Sequence, residues 1–192
     1  MNYNKIKDIK KGNFRYQDVA RILKISDESA KVACARFVKQ GIIVRLKRNI
    51  YISREKWQSL SIEGKFILAN LIQVPSYVSL MTALSYYEVT TQVQQDFVES
   101  ISIYRTKSVE IDKNTFKYSK IKKNLYFGFA KEKGIFIASP EKAFLDALYL
   151  KSLKRYNFDI TSIDLARLNT SKIKSMIRKY PVKVQKLLGE II

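Results

Sequence analysis

The stretch of this sequence that most constrains its fold runs from Ser26 to Ile52 and predicts a helix followed at once by a basic hairpin. The Ser26 hydroxyl can accept hydrogen bonds from the free N–H groups of a first helical turn. Gly41 can end the helix, because glycine enters the left-handed region without steric cost. Apolar and polar residues then alternate around a turn at 47–49. This order is typical of the recognition helix and wing of a winged helix-turn-helix, a fold that reads DNA.

A rotation of about 100° per residue divides the predicted recognition helix into two faces. The inward face carries Ala30, Ala33, Cys34 and Phe37, with Val38 at its edge. Cys34 is interpreted as a small buried apolar residue, the alternative being a reactive thiol. The outward face carries the residues expected to meet DNA, which are Ser29, Lys31, Val32 and Arg36 at base edges and Lys39 at the phosphate backbone.

The segments around this helix predict further DNA contacts. A first helix is expected over 3–11 and a second over 14–23, with Arg15 and Gln17 at the start of the second, where side chains commonly hold the backbone. Asn49 is expected at a positive φ in the wing turn, which asparagine tolerates well. The wing contributes the remaining candidates, Arg45, Lys47, Arg48 and Asn49.

Positive charge is concentrated at the two ends of the chain. Residues 1–60 hold 15 basic and 5 acidic side chains, residues 61–150 hold 11 and 9, and residues 151–192 hold 10 and 3. This distribution favours a polyanionic partner at both ends and a different task for the middle. The alternative is that the lysines only solvate the surface.

Composition excludes several classes of site. The chain has no histidine and one cysteine, which removes His-based catalysis, Ser-His-Asp and Cys-His systems and nearly every zinc site. No glycine-rich phosphate loop is present. We therefore expect no enzyme, no metal and no cofactor. The sequence has no apolar run of 18 residues and no signal peptide, so a cytoplasmic protein without membrane contact is expected.

Beyond a linker at 53–61 anchored by Trp57, the pattern predicts a second domain. The expected fold is α+β, with a winged-helix domain at 1–56 and, at 57–192, a mixed α+β domain with a small, mainly antiparallel sheet and C-terminal helices. Its helices are predicted at 64–72 and 80–87, and its strands at 77–79, 97–104, 108–111, 115–119, 125–129 and 136–138.

A strongly apolar helix is predicted to follow Ser139-Pro140, with serine as its cap and proline at its first position. Glu141, Lys142 and Asp146 lie on it. We interpret them as capping groups and a salt-linked exposed stripe, the alternative being a catalytic cluster.

Three short helices are predicted in the tail, the first capped by Ser162 and the last starting at Pro181. Ile173, Met176, Ile177 and Tyr180 form an apolar stripe at helical spacing. The basic residues around it either are solvated or make a second DNA contact, and they are Lys172, Lys174, Arg178, Lys179, Lys183 and Lys186.

Three segments carry a family resemblance in addition to the winged helix. They read YVSLMTALSYYEV at 77–89, SISIYRTKSVEIDKNTFKYSKIKKNLYFGF at 100–129 and IASPEKAFLDALYL at 137–150. In this combination the chain resembles the AbiEi family, the antitoxins of type IV toxin–antitoxin systems linked to abortive phage infection. It departs from the family pattern at Asn49, where the wing often has glycine, and at Tyr87-Glu88, where His-Gly is common.

The resemblance implies a division of labour. The winged helix would bind inverted repeats of double-stranded promoter DNA and repress its own operon, as a solution monomer with two molecules on one operator. The C-terminal domain would neutralise a nucleotidyltransferase-like toxin of the AbiEii type without a stable complex. Two alternatives are a stand-alone regulator whose second domain senses a ligand, and an enzyme that uses Glu141, Lys142 and Asp146.

Overall fold

The computed structural model describes residues 12–92 and 95–191. These residues divide into two compact units, with the boundary between Gly64 and Lys65. The helix expected at 3–11 lies outside the described residues. In the described part of the chain, no helix combines the length and the apolarity that crossing a membrane requires.

The N-terminal unit contains two helices, a two-stranded hairpin and a short third helix. Their bounds are α1 Tyr16–Leu23, α2 Asp27–Lys39, β1 Ile43–Lys47, β2 Ile50–Ser53 and α3 Arg54–Gln58. The two strands are antiparallel. This is the predicted helix, tight turn, helix and wing.

Local chemistry fixes both ends of α2. The Ser26 Oγ accepts a hydrogen bond from the Ser29 N–H at 3.2 Å, which satisfies one of the free donors of the first turn. Gly41 follows the helix at a φ of +71°. The inward face of α2 is buried as predicted and packs with α1 and the wing, through Ala30, Ala33, Cys34 and Phe37.

Two expectations for this unit were wrong. Phe14 is not helical: it forms an antiparallel bridge with Tyr51, each backbone N–H donating to the other residue's carbonyl at 2.9 Å. Helix α1 therefore starts at Tyr16. The expected linker contains α3, in which the Ser53 Oγ accepts from the Lys56 N–H at 3.3 Å. Trp57 is buried and anchors this helix, which contacts both strands of the wing.

The C-terminal unit is a mixed α+β fold. It is entered through α4 Ile62–Ile72, and its other helices are α5 Leu80–Tyr86, α6 Pro140–Ser152, α7 Thr170–Ile177 and α8 Val182–Gly189. Its strands are β3 Ser76–Val78, β4 Phe97–Ser102, β5 Lys107–Ile111, β6 Asn114–Lys120, β7 Phe129–Glu132 and β8 Ile135–Ala138.

These six strands form one sheet in the order β5-β6-β4-β3-β8-β7. Three of its five pairings are antiparallel, namely β3 with β4, β5 with β6 and β7 with β8. The pairings of β3 with β8 and of β4 with β6 are parallel. The prediction of a mainly antiparallel sheet is thus confirmed, although two of the five strand pairings are parallel.

Helix α6 is central to the C-terminal unit. The Ser139 Oγ accepts from the Lys142 N–H at 3.3 Å, and Pro140 occupies the first helical position. Eleven of its thirteen residues are buried. A helix that is enclosed on nearly all sides carries apolar residues on nearly all of its faces, and α6 does so.

Two local predictions for this unit were wrong. Residues 125–129 do not form a strand: a 3₁₀ turn spans Lys123–Leu125 and the strand begins only at Phe129. Ser162 does not cap a helix either. The segment folds as two 3₁₀ turns at Ile160–Ser162 and Leu165–Arg167, capped by the carboxylates of Asp159 and Asp164.

Candidate DNA-binding surface and a buried polar cluster

The outward face of α2 is an exposed, mostly cationic surface. All five residues predicted to meet DNA from this helix have exposed side chains. Val32 is 67% exposed, so its methyl groups lie on this surface among charged side chains. The five residues are Ser29, Lys31, Val32, Arg36 and Lys39.

Two of these side chains also serve the fold. The Ser29 Oγ accepts a hydrogen bond from the Ser26 Oγ at 3.0 Å and is thus part of the helix cap. The Lys31 Nζ lies 3.8 Å from a Glu28 carboxylate oxygen and 4.9 Å from the centre of the Tyr16 ring. The Lys31 and Glu28 side chains are both exposed, and an ion pair at such a position contributes little to stability.

The wing adds three cations. Arg45 and Arg48 are exposed and Lys47 is half-buried. Burial lowers the pKa of Lys47, and the nearby charge of Arg15 lowers it further. The start of α1 and the wing thus bring two like charges close to each other, an arrangement that an anion would stabilise.

Asn49 joins the wing tip to the start of α1. Its φ is +58°. Its Oδ1 accepts a hydrogen bond from the Tyr16 N–H at 3.0 Å, and its Nδ2 donates to the Gln17 Oε1 at 3.0 Å. The Tyr16 N–H is one of the donors that the first turn of a helix leaves free. The structure therefore brings the predicted contacts Asn49 and Gln17 together, with the amide of Asn49 engaged within the unit.

The basic residues of the tail all have exposed side chains on or beside α7 and α8. The Lys179 Nζ lies 4.3 Å from the centre of the Phe127 ring. The set is Lys172, Lys174, Arg178, Lys179, Lys183 and Lys186.

Glu141, Lys142 and Asp146 do not form an exposed stripe, and that prediction was wrong. Lys142 and Asp146 are 0% exposed and Glu141 is 4% exposed. The reason is that α6 packs against α5, α7, α8 and β8, so that it has no solvent face on which a stripe could lie.

Lys142 and Asp146 form an ion pair inside a buried hydrogen-bond cluster. Tyr77 and Ser79 each donate a hydroxyl hydrogen bond to the Asp146 Oδ2 at 2.9 Å. The Lys142 Nζ donates to the Tyr180 hydroxyl at 2.7 Å. We call these five residues the buried polar cluster. It joins two of the three family-like segments, 77–89 and 137–150, and connects the tail to them.

Burial sets the protonation of this cluster. It lowers the pKa of Lys142, which the charge of Asp146 opposes. It raises the pKa of Tyr77 and Tyr180 well above the usual value, and Asp146 raises both further. The two tyrosines therefore remain neutral donors around a paired charge. All five residues are at most 3% exposed, and their polar groups bond to one another, so the cluster suits a positioning role.

Backbone geometry also adapts to this cluster. Gly128 has a φ of +72°, and a Cβ there would lie 3.1–3.2 Å from the Lys142 side-chain carbons. Glu141 is next to the cluster: its Oε1 accepts from the Asn169 N–H at 3.3 Å, whereas its Oε2 has no hydrogen-bond partner among the described residues. Sequence reasoning missed Tyr77, Ser79 and Tyr180. The sequence signal for the cluster is a pair of opposite charges at i and i+4 in a mostly apolar helix.

The fold and exposed cationic surface of the N-terminal unit define a winged helix-turn-helix regulator that binds DNA. A family model described as a transcriptional regulator, AbiEi antitoxin, matches residues 6–53. The resemblance to the AbiEi family is thus confirmed for this segment. The match includes α1, α2 and the wing and ends before the C-terminal unit. No curated protein sequence matches the chain significantly.

Proposed function

We propose that this protein is an antitoxin that represses its own toxin–antitoxin operon and neutralises the toxin through its C-terminal unit. The N-terminal unit binds inverted repeats in the promoter, and the toxin is a nucleotidyltransferase-like protein of the AbiEii type. The observation that carries the proposal is the exposed cationic face of α2 beside the wing, within the segment that matches the AbiEi regulators.

In this proposal α2 enters the major groove and reads bases. The Arg36 guanidinium is able to bind O6 and N7 of a guanine together, and the exposed Val32 is suited to contact a thymine methyl group. Ser29 and Lys31, nearer the helix N-terminus, reach neighbouring base edges, while Lys39 binds phosphate. Specificity then comes from a short segment of one helix.

The wing and the start of α1 hold the phosphate backbone in this proposal. Arg45 and Arg48 reach phosphates or the minor groove from the wing. Burial lowers the pKa of Lys47 and the charge of Arg15 lowers it further, and a phosphate beside both residues would offset the repulsion between them. Gln17 and Asn49 are already joined by a hydrogen bond, so a contact from either side chain to DNA would need little reordering of the pair.

The experiment that tests the repressor role compares binding of the full chain to its own upstream duplex and to a scrambled duplex, at about 150 mM salt. Binding that does not distinguish the two duplexes would contradict the proposal. Arg36→Ala should relax specificity at one base position. Lys39→Ala and Arg48→Ala should weaken binding to all sequences alike. Each should also lower the slope of log affinity against log salt concentration by about one unit. Lys113→Gln, which removes an exposed charge from the C-terminal unit, is the matched control.

The tail residues are tested in the same assay. If Lys174 and Arg178 form a second DNA contact, changing both to glutamine lowers the salt slope by about two units. An unchanged slope assigns them to solvation of the surface.

Toxin neutralisation is tested by co-expressing the full chain with the toxin of the same operon. A variant that carries both Arg36→Ala and Arg48→Ala should lose repression but keep protection, because we assign protection to the C-terminal unit. Loss of protection at an equal protein level would contradict that division. Sedimentation of the free protein and of its operator complex tests the monomer that we propose in solution and the two molecules on one operator.

A further inference from the structure

A cleft of about 710 Å³ opens in the C-terminal unit. Strands β4 and β6 line it, together with the N-terminal turn of α5 and the segment after α6. Its volume is in the range of small-molecule sites. None of the residues of the DNA-binding surface lines it, and neither does the buried polar cluster.

The cleft contains a buried carboxylate. Glu99, on β4, is 1% exposed. Its Oε2 accepts a hydrogen bond from the Tyr156 hydroxyl at 2.7 Å. Burial raises the pKa of Glu99, which the Tyr156 hydrogen bond, the charge of Lys117 and the Met81 backbone N–H oppose. A carboxyl group held in this way is a fixed acceptor for hydrogen-bond donors.

Four cations line the same cleft, and two of them are engaged by neighbouring oxygens. The Lys151 Nζ donates to the Asn157 Oδ1 and the Phe158 carbonyl, both at 3.2 Å. Arg155 donates to the Thr106 hydroxyl at 2.6 Å. These bonds hold the segment after α6 in place.

The other two cations, Lys117 and Lys154, lie within 4 Å of no carboxylate in the described ranges. Lys117 is half-buried, with its Nζ 5.7 Å from the centre of the Tyr156 ring and 6.0 Å from that of the Phe97 ring. Lys154 is exposed. Both are therefore able to bind an anion, beside two aromatic rings that line the cleft.

We propose that this cleft binds a nucleoside phosphate whose base carries an amino group. A carboxylate in the cleft repels a simple polyanion, so the ligand must present its negative charge to the lysines and a hydrogen-bond donor to Glu99. A nucleotide with an amino group on its base has both the negative charge and the hydrogen-bond donor, and its flat base packs on Phe97 and Tyr156. Lys117 and Lys154 bind the phosphates, and Glu99 accepts from the amino group of adenine, guanine or cytosine.

Calorimetric titration of the full chain with ATP, GTP, CTP, UTP and inorganic pyrophosphate tests this proposal. At least one of ATP, GTP and CTP should bind, and it should bind about tenfold more tightly than UTP, because uracil has no amino group. Absence of heat with all four nucleotides at millimolar concentration would overturn the proposal. Pyrophosphate binding as tightly as the best nucleotide would overturn the base contact.

Variants separate a built site from general attraction to a basic protein. Lys154→Ala and Lys117→Ala should each weaken binding of the tightest-binding nucleotide about tenfold. Lys131→Ala, on the edge strand β7 and outside the cleft, should leave that binding unchanged. Equal weakening by all three lysine variants would contradict the site. Glu99→Gln should reduce the preference over UTP, whereas an unchanged preference would exclude Glu99 from base recognition. Lys154 is exposed, so its variant tests the site even if Glu99→Gln does not fold.

Discussion

Asn49 and Tyr16 are 33 positions apart in the chain and are joined by a hydrogen bond of 3.0 Å from the Tyr16 N–H to the Asn49 Oδ1. The same asparagine supplies the positive φ that the wing turn requires. One residue thus shapes the wing tip and satisfies a free donor of α1. A glycine would make the turn with less strain but would leave the Tyr16 N–H without this acceptor.

We therefore expect Asn49→Ala to destabilise the N-terminal unit by about 2 kcal/mol, because it combines a strained φ with the loss of two hydrogen bonds. Asn49→Gly should cost about 1 kcal/mol, since only the hydrogen bonds are lost. Trp57 is the one tryptophan of the chain and is buried in this unit, so its fluorescence in urea measures the effect. Gln17→Ala, which removes only the Nδ2 partner, is the matched control and should cost least.

The Lys142–Asp146 pair should be much more sensitive to loss of one partner than to replacement of both. Asp146→Ala leaves a buried ammonium without its counter-charge and should cost about 3–5 kcal/mol. The double variant Lys142→Met, Asp146→Asn removes both charges, and we expect it to be more stable than Asp146→Ala alone. Urea unfolding followed by circular dichroism measures the difference. Arg167→Ala, which breaks ion pairs at the surface, should change stability by at most about 1 kcal/mol.

Tyr180→Phe removes the hydroxyl that accepts from Lys142 and lies 3.3 Å from the Asp146 Oδ1. Loss of this buried bond should cost about 1–3 kcal/mol and should reduce hydrogen-exchange protection in α7 and α8, the helices on either side of Tyr180. Tyr104→Phe, at a residue that is 58% exposed, is the control. Unchanged exchange in both helices would show that the tail does not depend on the buried polar cluster.

Cys34 should make the N-terminal unit less stable at alkaline pH. Burial raises the pKa of this thiol to about 11, whereas in the unfolded chain it is about 8.5. Between these values the unfolded state has lost the proton that the folded state keeps, so the unfolding free energy falls by up to about 1.4 kcal/mol per pH unit. The unfolding free energy should fall less steeply with pH in Cys34→Ala than in the unchanged protein. Urea unfolding followed by Trp57 fluorescence between pH 8 and pH 10.5 measures the two slopes. Equal slopes in the two proteins would contradict this assignment.

Much of the N-terminal unit could be predicted because its signals are local. The Ser26 cap, the break at Gly41 and the inward face with Cys34 follow from spacing and backbone chemistry within one helix. The pairing of Phe14 with Tyr51 could not be predicted in this way, because its partners are far apart in the sequence. The helical pattern at the start of α1 therefore includes Phe14, which pairs with the wing instead.

The buried polar cluster shows the same limit more strongly. Nothing within α6 indicates that Tyr77, Ser79 and Tyr180 surround Lys142 and Asp146, because tertiary packing alone brings these segments together. Charges at i and i+4 are most often an exposed pair on a helix surface. Within α6, only the mostly apolar composition of the helix indicates that this pair is buried.

The five members of the buried polar cluster come from three separate segments of the chain, and this has a consequence for how such sequences diverge. A charge at either end of the pair is tolerated only while the other is kept. The hydroxyls of Tyr77, Ser79 and Tyr180 lose a shared hydrogen-bond acceptor when Asp146 is replaced. These positions should therefore change in concert, and a related chain that lacks one of them should lack most of the others.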